Sequence, residues 1–306
     1  MSFNINFVFL SIIFSSYHYV CALFDPFSLS VAAGVGLGAF KFGFLKDQTY
    51  CRLAECCNER GIPADIVGLR AELSRTLFGQ HIVQQQLIPA LEAHFSNKRN
   101  SRKPLVISFH GTPGTGKNFV ADQIARKLYE KGLESKFVHK YMGRSDFPLA
   151  EKARLYTERI NRDVREGLRK CPRSLFIFDE VDKMPPGVFE SLTSLVDYNS
   201  LIDGQDATQA IFIFLSNTAG VQVSDKLGEL IKGGTLREDT KISHFEQILE
   251  KAAYNLEGGL KKTSLIEAHV IDHFIPFLPL EKSHVYKCIE QEFRRWDKFP
   301  TGNVIE

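Results

Sequence analysis

Hydrophobic and polar positions divide the chain into stretches of different texture. Phe3 to Phe14 is almost uninterruptedly apolar, and a second apolar stretch, Phe27 to Phe44, carries Gly34, Gly36, Gly38 and Gly43 with Lys41 as its only charge. Beyond Cys51 the pattern becomes mixed and periodic. Ile66, Leu69, Leu73 and Leu77 recur at helical spacing before a stop at Gly79, and Ile82, Leu87, Leu91 and Phe95 predict a second helix. Short apolar runs and amphipathic runs then alternate. Strands are expected at Leu105 to His110, Phe137 to Met142, Ser174 to Asp179, Ala210 to Ser216 and Phe274 to Leu278, with helices at Phe119 to Tyr129 and Leu149 to Arg169. Near-continuous apolar strands separated by helices predict an α/β fold with a parallel sheet flanked by helices.

The first two stretches suggest a different role from the rest. Phe3 to Phe14 is too short to span a bilayer, and it is followed by polar Ser15, Ser16 and His18 and the small-residue site Val20-Cys21-Ala22. Residues 1–22 therefore read as a signal peptide, with a short buried helix as the alternative. Residues 23–50 read as a membrane-associating segment that dips into one leaflet, or as a linker. The remainder divides into an α/β domain, 51–280, and the start of a helical segment, 281–306. Of the 306 residues, 44% are apolar and 24% charged, an ordinary globular composition. A net charge of +2 with no basic patch excludes nucleic acid as a partner.

Between the first expected strand and the helix after it lies Gly111-Thr112-Pro113-Gly114-Thr115-Gly116-Lys117-Asn118. Glycines at these positions let backbone N–H groups turn inward around phosphate oxygens, the following helix presents its positive end, and Lys117 supplies a point charge. The final position departs from the phosphate-loop pattern. Where a Ser or Thr hydroxyl would ligate magnesium, Asn118 offers an amide oxygen on a longer arm. ATP and Mg2+ are the expected ligands.

Two further strands deliver polar residues at their carboxyl ends, where ligands sit in open parallel sheets. Asp179 is expected to hold the metal, on a strand lying beside the first, and Glu180 to polarise the attacking water. Asn217 is expected to hydrogen-bond that water or the γ-phosphate. Singly, a carboxylate pair at a strand end is often a solvated loop and an Asn a turn former; their order with the phosphate loop favours the catalytic reading.

Together these residues resemble the torsins, AAA+ ATPases related to the Clp/HSP100 proteins. The resemblance runs from about Phe27 to Arg295, and its most specific element is Gly114 to Val120, because Asn after the lysine is a torsin hallmark. Cys51, Cys56 and Cys57, Leu77 to His81, Phe176 to Met184, Phe212 to Asn217, Arg237-Glu238-Asp239 and Phe277 to Leu280 support it. The resemblance implies an AAA+ P-loop domain followed by a helical small domain, here incomplete, since the Gly-Cys-Lys sensor of torsins is not found before Glu306. It places Gly79 and Gln80 where Clp-type ATPases line the adenine pocket.

The resemblance also implies residence in the endoplasmic reticulum lumen and nuclear envelope, peripheral membrane contact, and assembly with itself or related torsins. It further implies activation by luminal domains of lamina-associated-polypeptide-type membrane proteins, which lend an Arg in trans. The competing expectation is an ATP-binding switch or scaffold with little hydrolysis. Signal cleavage after Ala22 would leave five cysteines, an odd number. Cys51 and Cys171 match torsin cysteine positions, which makes them the expected disulfide, with buried free thiols as the alternative. Cys288 is then the unpaired thiol.

Overall fold

The computed structural model describes residues 51, 54–96, 102–196, 201–202, 205–255, 258–261, 263–267 and 270–295. The expected signal and membrane-associating segments lie outside the described residues. The chain divides into two compact units, Met1–Cys56 and Cys57–Glu306. Among the described residues no helix is long and apolar enough to cross a membrane.

Among its described residues the second unit has seven strands: β1 (Leu105–His110), β2 (Val138–Met142), β3 (Leu175–Asp179), β4 (Leu201–Ile202), β5 (Gln205–Asp206), β6 (Ile211–Ser216) and β7 (His273–Pro276). Its helices are α1 (Ile66–Thr76), α2 (His81–Ser96), α3 (Lys117–Leu128), α4 (Gly143–Asp146), α5 (Ala153–Lys170), α6 (Thr193–Val196), α7 (Gly220–Lys232), α8 (Glu246–Asn255), α9 (Ser264–Glu267) and α10 (Lys282–Arg295). Five strands form one parallel sheet in the order β2-β3-β6-β1-β7. β1, β3 and β6 are buried along their whole length, which is why they read as unbroken apolar runs. The small antiparallel pair β4-β5 was not foreseen.

Alternate side chains of these strands build two different cores. On one face Ile107, Phe109, Leu175, Ile177, Ile211 and Ile213 pack with Leu69, Leu73, Leu87, Val120 and Ile124 of α1, α2 and α3. The other face is aromatic. Phe176 lies in register with Phe212, and Phe178 with Phe214, their rings stacked at 4.9 and 5.3 Å. His139 and Tyr141 extend each row onto β2 at 4.8 and 5.0 Å, and Phe189 meets Phe178 and Phe214 edge-on. Such pairs contribute roughly 0.5–1.5 kcal/mol each beyond their burial. Ile160, Val164 and Leu168 of α5 cover this face.

Two expectations are corrected. β3 does not lie beside β1, because β6 is inserted between them, hydrogen-bonded to both. The carboxyl end carrying Asp179 is therefore one strand further from the phosphate loop than expected. The expected Cys51–Cys171 disulfide is also absent. A bridge needs Cα atoms roughly 4.4–6.8 Å apart; Cys171, which caps the end of α5, meets that condition with Cys57 at 5.4 Å, and Cys51 meets it with Cys56 at 5.4 Å. Cys57–Cys171 spans 114 residues, a closure contributing about 4–5 kcal/mol in the chain-entropy account. Cys288 is free, as expected.

Candidate functional site

β1 carries its chemistry at its end. Ser108 and His110 alternate with apolar residues, so both point to one face, and both are fully buried. His110 Nε2 is 2.7 Å from Ser108 Oγ, His110 Nδ1 is 3.3 Å from Thr218 Oγ1, and Thr218 Oγ1 is 2.6 Å from Ser216 Oγ. This chain of contacts ties the root of the phosphate loop to the end of β6. Burial, the largest influence, lowers His110 from 6.5 to about 4, so the ring is neutral.

The loop then turns through Gly114 and Gly116, whose φ values of 79° and 102° favour glycine. Gly116 is the N-cap of α3 without a side-chain cap, and the first-turn N–H groups of a helix have no intrahelical partner. Lys117 folds back across the loop, donating to the carbonyls of Gly111 at 2.7 Å and Thr112 at 2.9 Å. Only 6% of it is exposed, and burial lowers its amine to about 8 against the opposing charges of Asp182 and Asp179. Gln80 clamps the loop from behind. Its amide donates to Thr115 O at 3.0 Å and Leu278 O at 2.8 Å, while its oxygen accepts from Leu278 N at 2.9 Å.

Despite the strand between, the predicted partners meet. Asn118 Nδ2 donates to Asp179 Oδ2 at 2.6 Å, and Asp179 Oδ1 accepts the Glu180 N–H at 2.8 Å. Glu180 has φ 53°. A left-handed conformation at a non-glycine residue costs on the order of 1–3 kcal/mol and concentrates at functional sites. Its carboxylate is 3.4 Å from Arg144 Nε. Asn217 is held by Asp182, whose Oδ1 accepts both its backbone N–H at 3.0 Å and its amide at 3.3 Å.

A cavity of about 170 Å³ flanks the loop at Gly114, Thr115 and Gly116 on its α10 side, and one of about 650 Å³ lies between α1, α3 and α10. Thr76, Phe78, Phe119 and Gln291 line both, and Cys288 lines the smaller.

A torsin family model matches residues 51–178. A torsin-like protein of Drosophila melanogaster is 60% identical over 90% of this chain and 80% of its own length. One of Caenorhabditis elegans is 39% identical over 85% and 73%. The chain belongs to the torsin family. Among solved structures, an ADP complex of S. cerevisiae Hsp104 matches with a TM-score of 0.51 at 19% identity, over 81% of this torsin. A closed-state reconstruction of Hsp104 with ATPγS and casein matches with a TM-score of 0.54 at 19% identity, over 84%. The torsin spans 41–44% of those chains, and the likeness establishes an AAA+ α/β fold. Family and fold together support nucleotide binding and an ATPase, chaperone-like role.

Several residues of this torsin site escaped the sequence reading. Asp182, His110, Thr218 and Arg144 were not assigned roles, although the polar alternation Ser108-x-His110 inside an apolar strand was a signal for one of them. Arg237, part of the Arg237-Glu238-Asp239 motif, is buried and donates to Gly79 O at 2.8 Å, with Glu281 at 3.6 Å. It joins the turn before α2 to the base of α10. A magnesium ion fits the donors present: an amide and a carboxylate are the hard-oxygen ligands it takes beside phosphate oxygens. Among the described residues no group of three or more His, Cys, Asp or Glu is placed to hold a metal, so nucleotide phosphates would complete such a site.

Proposed function

We propose that this torsin binds ATP with Mg2+ and hydrolyses it, using the work for chaperone-like remodelling of proteins or membranes. The observation that carries this reading is the convergence of the Lys117-bridged loop, the Asn118–Asp179 pair and Glu180 at the carboxyl end of one parallel sheet. Lys117 and the start of α3 meet the phosphates, and Asn118 and Asp179 hold the metal, which when bound neutralises phosphate charge. Glu180 accepts the proton of the attacking water, and Asn217 orients that water or the γ-phosphate.

Residence in the endoplasmic reticulum lumen and nuclear envelope, peripheral membrane contact, assembly with itself or related torsins, and a membrane-bound activator lending an arginine belong to the same proposal. Such an arginine is worth about 10³–10⁵ in rate. The second reading, an ATP-dependent switch, draws support from Glu180 and Asn217 both being engaged by protein partners, Arg144 and Asp182. Phosphate release with and without an activator's luminal domain separates them: stimulation supports the enzyme, and unstimulated, negligible turnover with intact ATP binding supports the switch.

A further inference from the structure

Two chain segments line the smaller cavity beside the phosphate loop, and one buried arginine joins them. Leu77 and Phe78 enter the lining from the turn before α2, and Leu280 and Gln291 from the start and body of the α10 segment. Arg237 holds the residue next to each. Its Nη2 donates at 2.8 Å to the carbonyl of Gly79, which follows Phe78, and its Nη1 lies 3.6 Å from the carboxylate of Glu281, which follows Leu280. The surroundings of this staple are fixed. The Arg237 carbonyl accepts the Thr240 hydroxyl at 2.7 Å, and the Thr240 carbonyl lies 2.9 Å from His81 Nε2 at the start of α2. Gly79 has φ 70°, and a Cβ there would strike the His284 ring of α10, so glycine alone lets the turn and α10 approach this closely.

Burying a guanidinium is costly. Arg237 is 6% exposed, burial lowers its pKa against the opposing charges of Glu281 and Glu238, and its Nε has no hydrogen-bond partner among the described residues. An apolar side chain would fill the same space without that cost, but only a rigid fork of donors joins a carbonyl on one segment to a carboxylate on the other. The cavity between them, about 170 Å³ and bounded on a third side by Gly114, Thr115 and Gly116, suits a planar heterocycle attached to phosphates on the loop. We infer that Arg237 is a positioning residue for base recognition, which sets the separation of the two segments that receive the base while touching neither base nor phosphate.

The inference rests on nucleotide binding at the Lys117 loop. Calorimetry on the full chain with Mg2+ therefore compares ATP with inorganic tripolyphosphate, which offers the loop its phosphates and the cavity nothing. Wild type should bind ATP about tenfold or more tightly than tripolyphosphate. Arg237→Gln should lose most of that margin, ATP weakening by about tenfold while tripolyphosphate stays within about twofold. Arg237→Lys should fall between, since an ammonium lacks the fork that spans both partners. Should Arg237→Gln fail to fold, Glu281→Gln at the exposed end of the staple should shift the same ratio about two- to threefold. Equal weakening of both ligands, or an unchanged ratio in the folded variants, would overturn the inference by leaving Arg237 a support of the fold alone. Wild-type protein that binds neither ligand would instead overturn the nucleotide-binding reading, and this inference with it.

Discussion

The floor and the rim of this site are built differently. On the floor Lys117, Asp179 and His110 are almost wholly buried, and their polar atoms reach fixed partners: loop carbonyls, the Asn118 amide and the Glu180 N–H, and the Ser108 and Thr218 hydroxyls. At the rim Glu180 and Asn217 are only partly covered, and the groups engaging them, the exposed Arg144 after β2 and Asp182 after β3, come from the carboxyl end of the sheet. A buried, satisfied group holds its geometry because leaving it unpaired is costly. An exposed pair can be exchanged for another partner at little cost. The floor is thus suited to gripping phosphate and the rim to being switched.

If that division holds, changes at the rim act on turnover and changes on the floor act on binding or stability. The largest effect is expected from Glu180→Gln, which keeps shape and loses the base: kcat should fall about 10²–10⁴-fold while calorimetry finds ATP affinity unchanged. Weakened ATP binding in this variant would erase the contrast.

Next comes the floor's own response to acid. His110 is neutral when folded, titrating at about 4 instead of 6.5. The unfolded chain therefore binds more protons between those values. Stability is complete above pH 6.5 and is lost as pH falls toward 4, by up to ~3 kcal/mol from this group. Urea midpoints followed across this window should flatten in His110→Asn relative to wild type. Parallel curves would assign the acid response to other groups.

Lys117→Ala should weaken ATP binding by about tenfold or more, through loss of a charge-assisted contact. Because the free amine titrates near 8 and phosphate favours its charged form, wild-type affinity should decline as pH rises above about 8. Lys117→Ala should lack that decline, and an identical slope in both proteins would point to another group.

The smallest change is expected where floor and rim touch. Asn118→Thr replaces the amide that donates to Asp179 with a hydroxyl that can also donate and can ligate a metal, so turnover should stay within about threefold. A sharp loss in phosphate release would show that the longer arm of the amide is required.

The floor was largely legible in the sequence, and the rim less so. A phosphate loop is a contiguous run whose glycines have local conformational reasons, and buried strands announce themselves as apolar runs. Strand order is not local. β1, β3 and β6 are alike in length and apolar character, and nothing in Leu175 to Asp179 tells that β6 intervenes between it and β1. The disulfide error has the same origin, since Cys51 and Cys57 lie close together in sequence and only the fold decides which of them meets Cys171 at the end of α5. Arg144 was missed because it becomes relevant solely through the β2–β3 register. Gln80, whose contacts include one 198 residues away in the chain, was read through family likeness as an adenine-pocket residue, and in the fold it clamps the loop.

The Cys57–Cys171 bond makes a closed covalent ring of the chain between them. β1, the phosphate loop, α3, β2 and α5 lie inside that ring, whereas Glu180 and Asn217 lie on the tail that leaves it. A single protease nick anywhere within the ring would therefore release nothing: the pieces would migrate as one band until a thiol reductant separated them. The segment that bears the Lys117 loop is nick-tolerant by its connectivity, and the segment that bears Asp179, Glu180 and Asn217 is not.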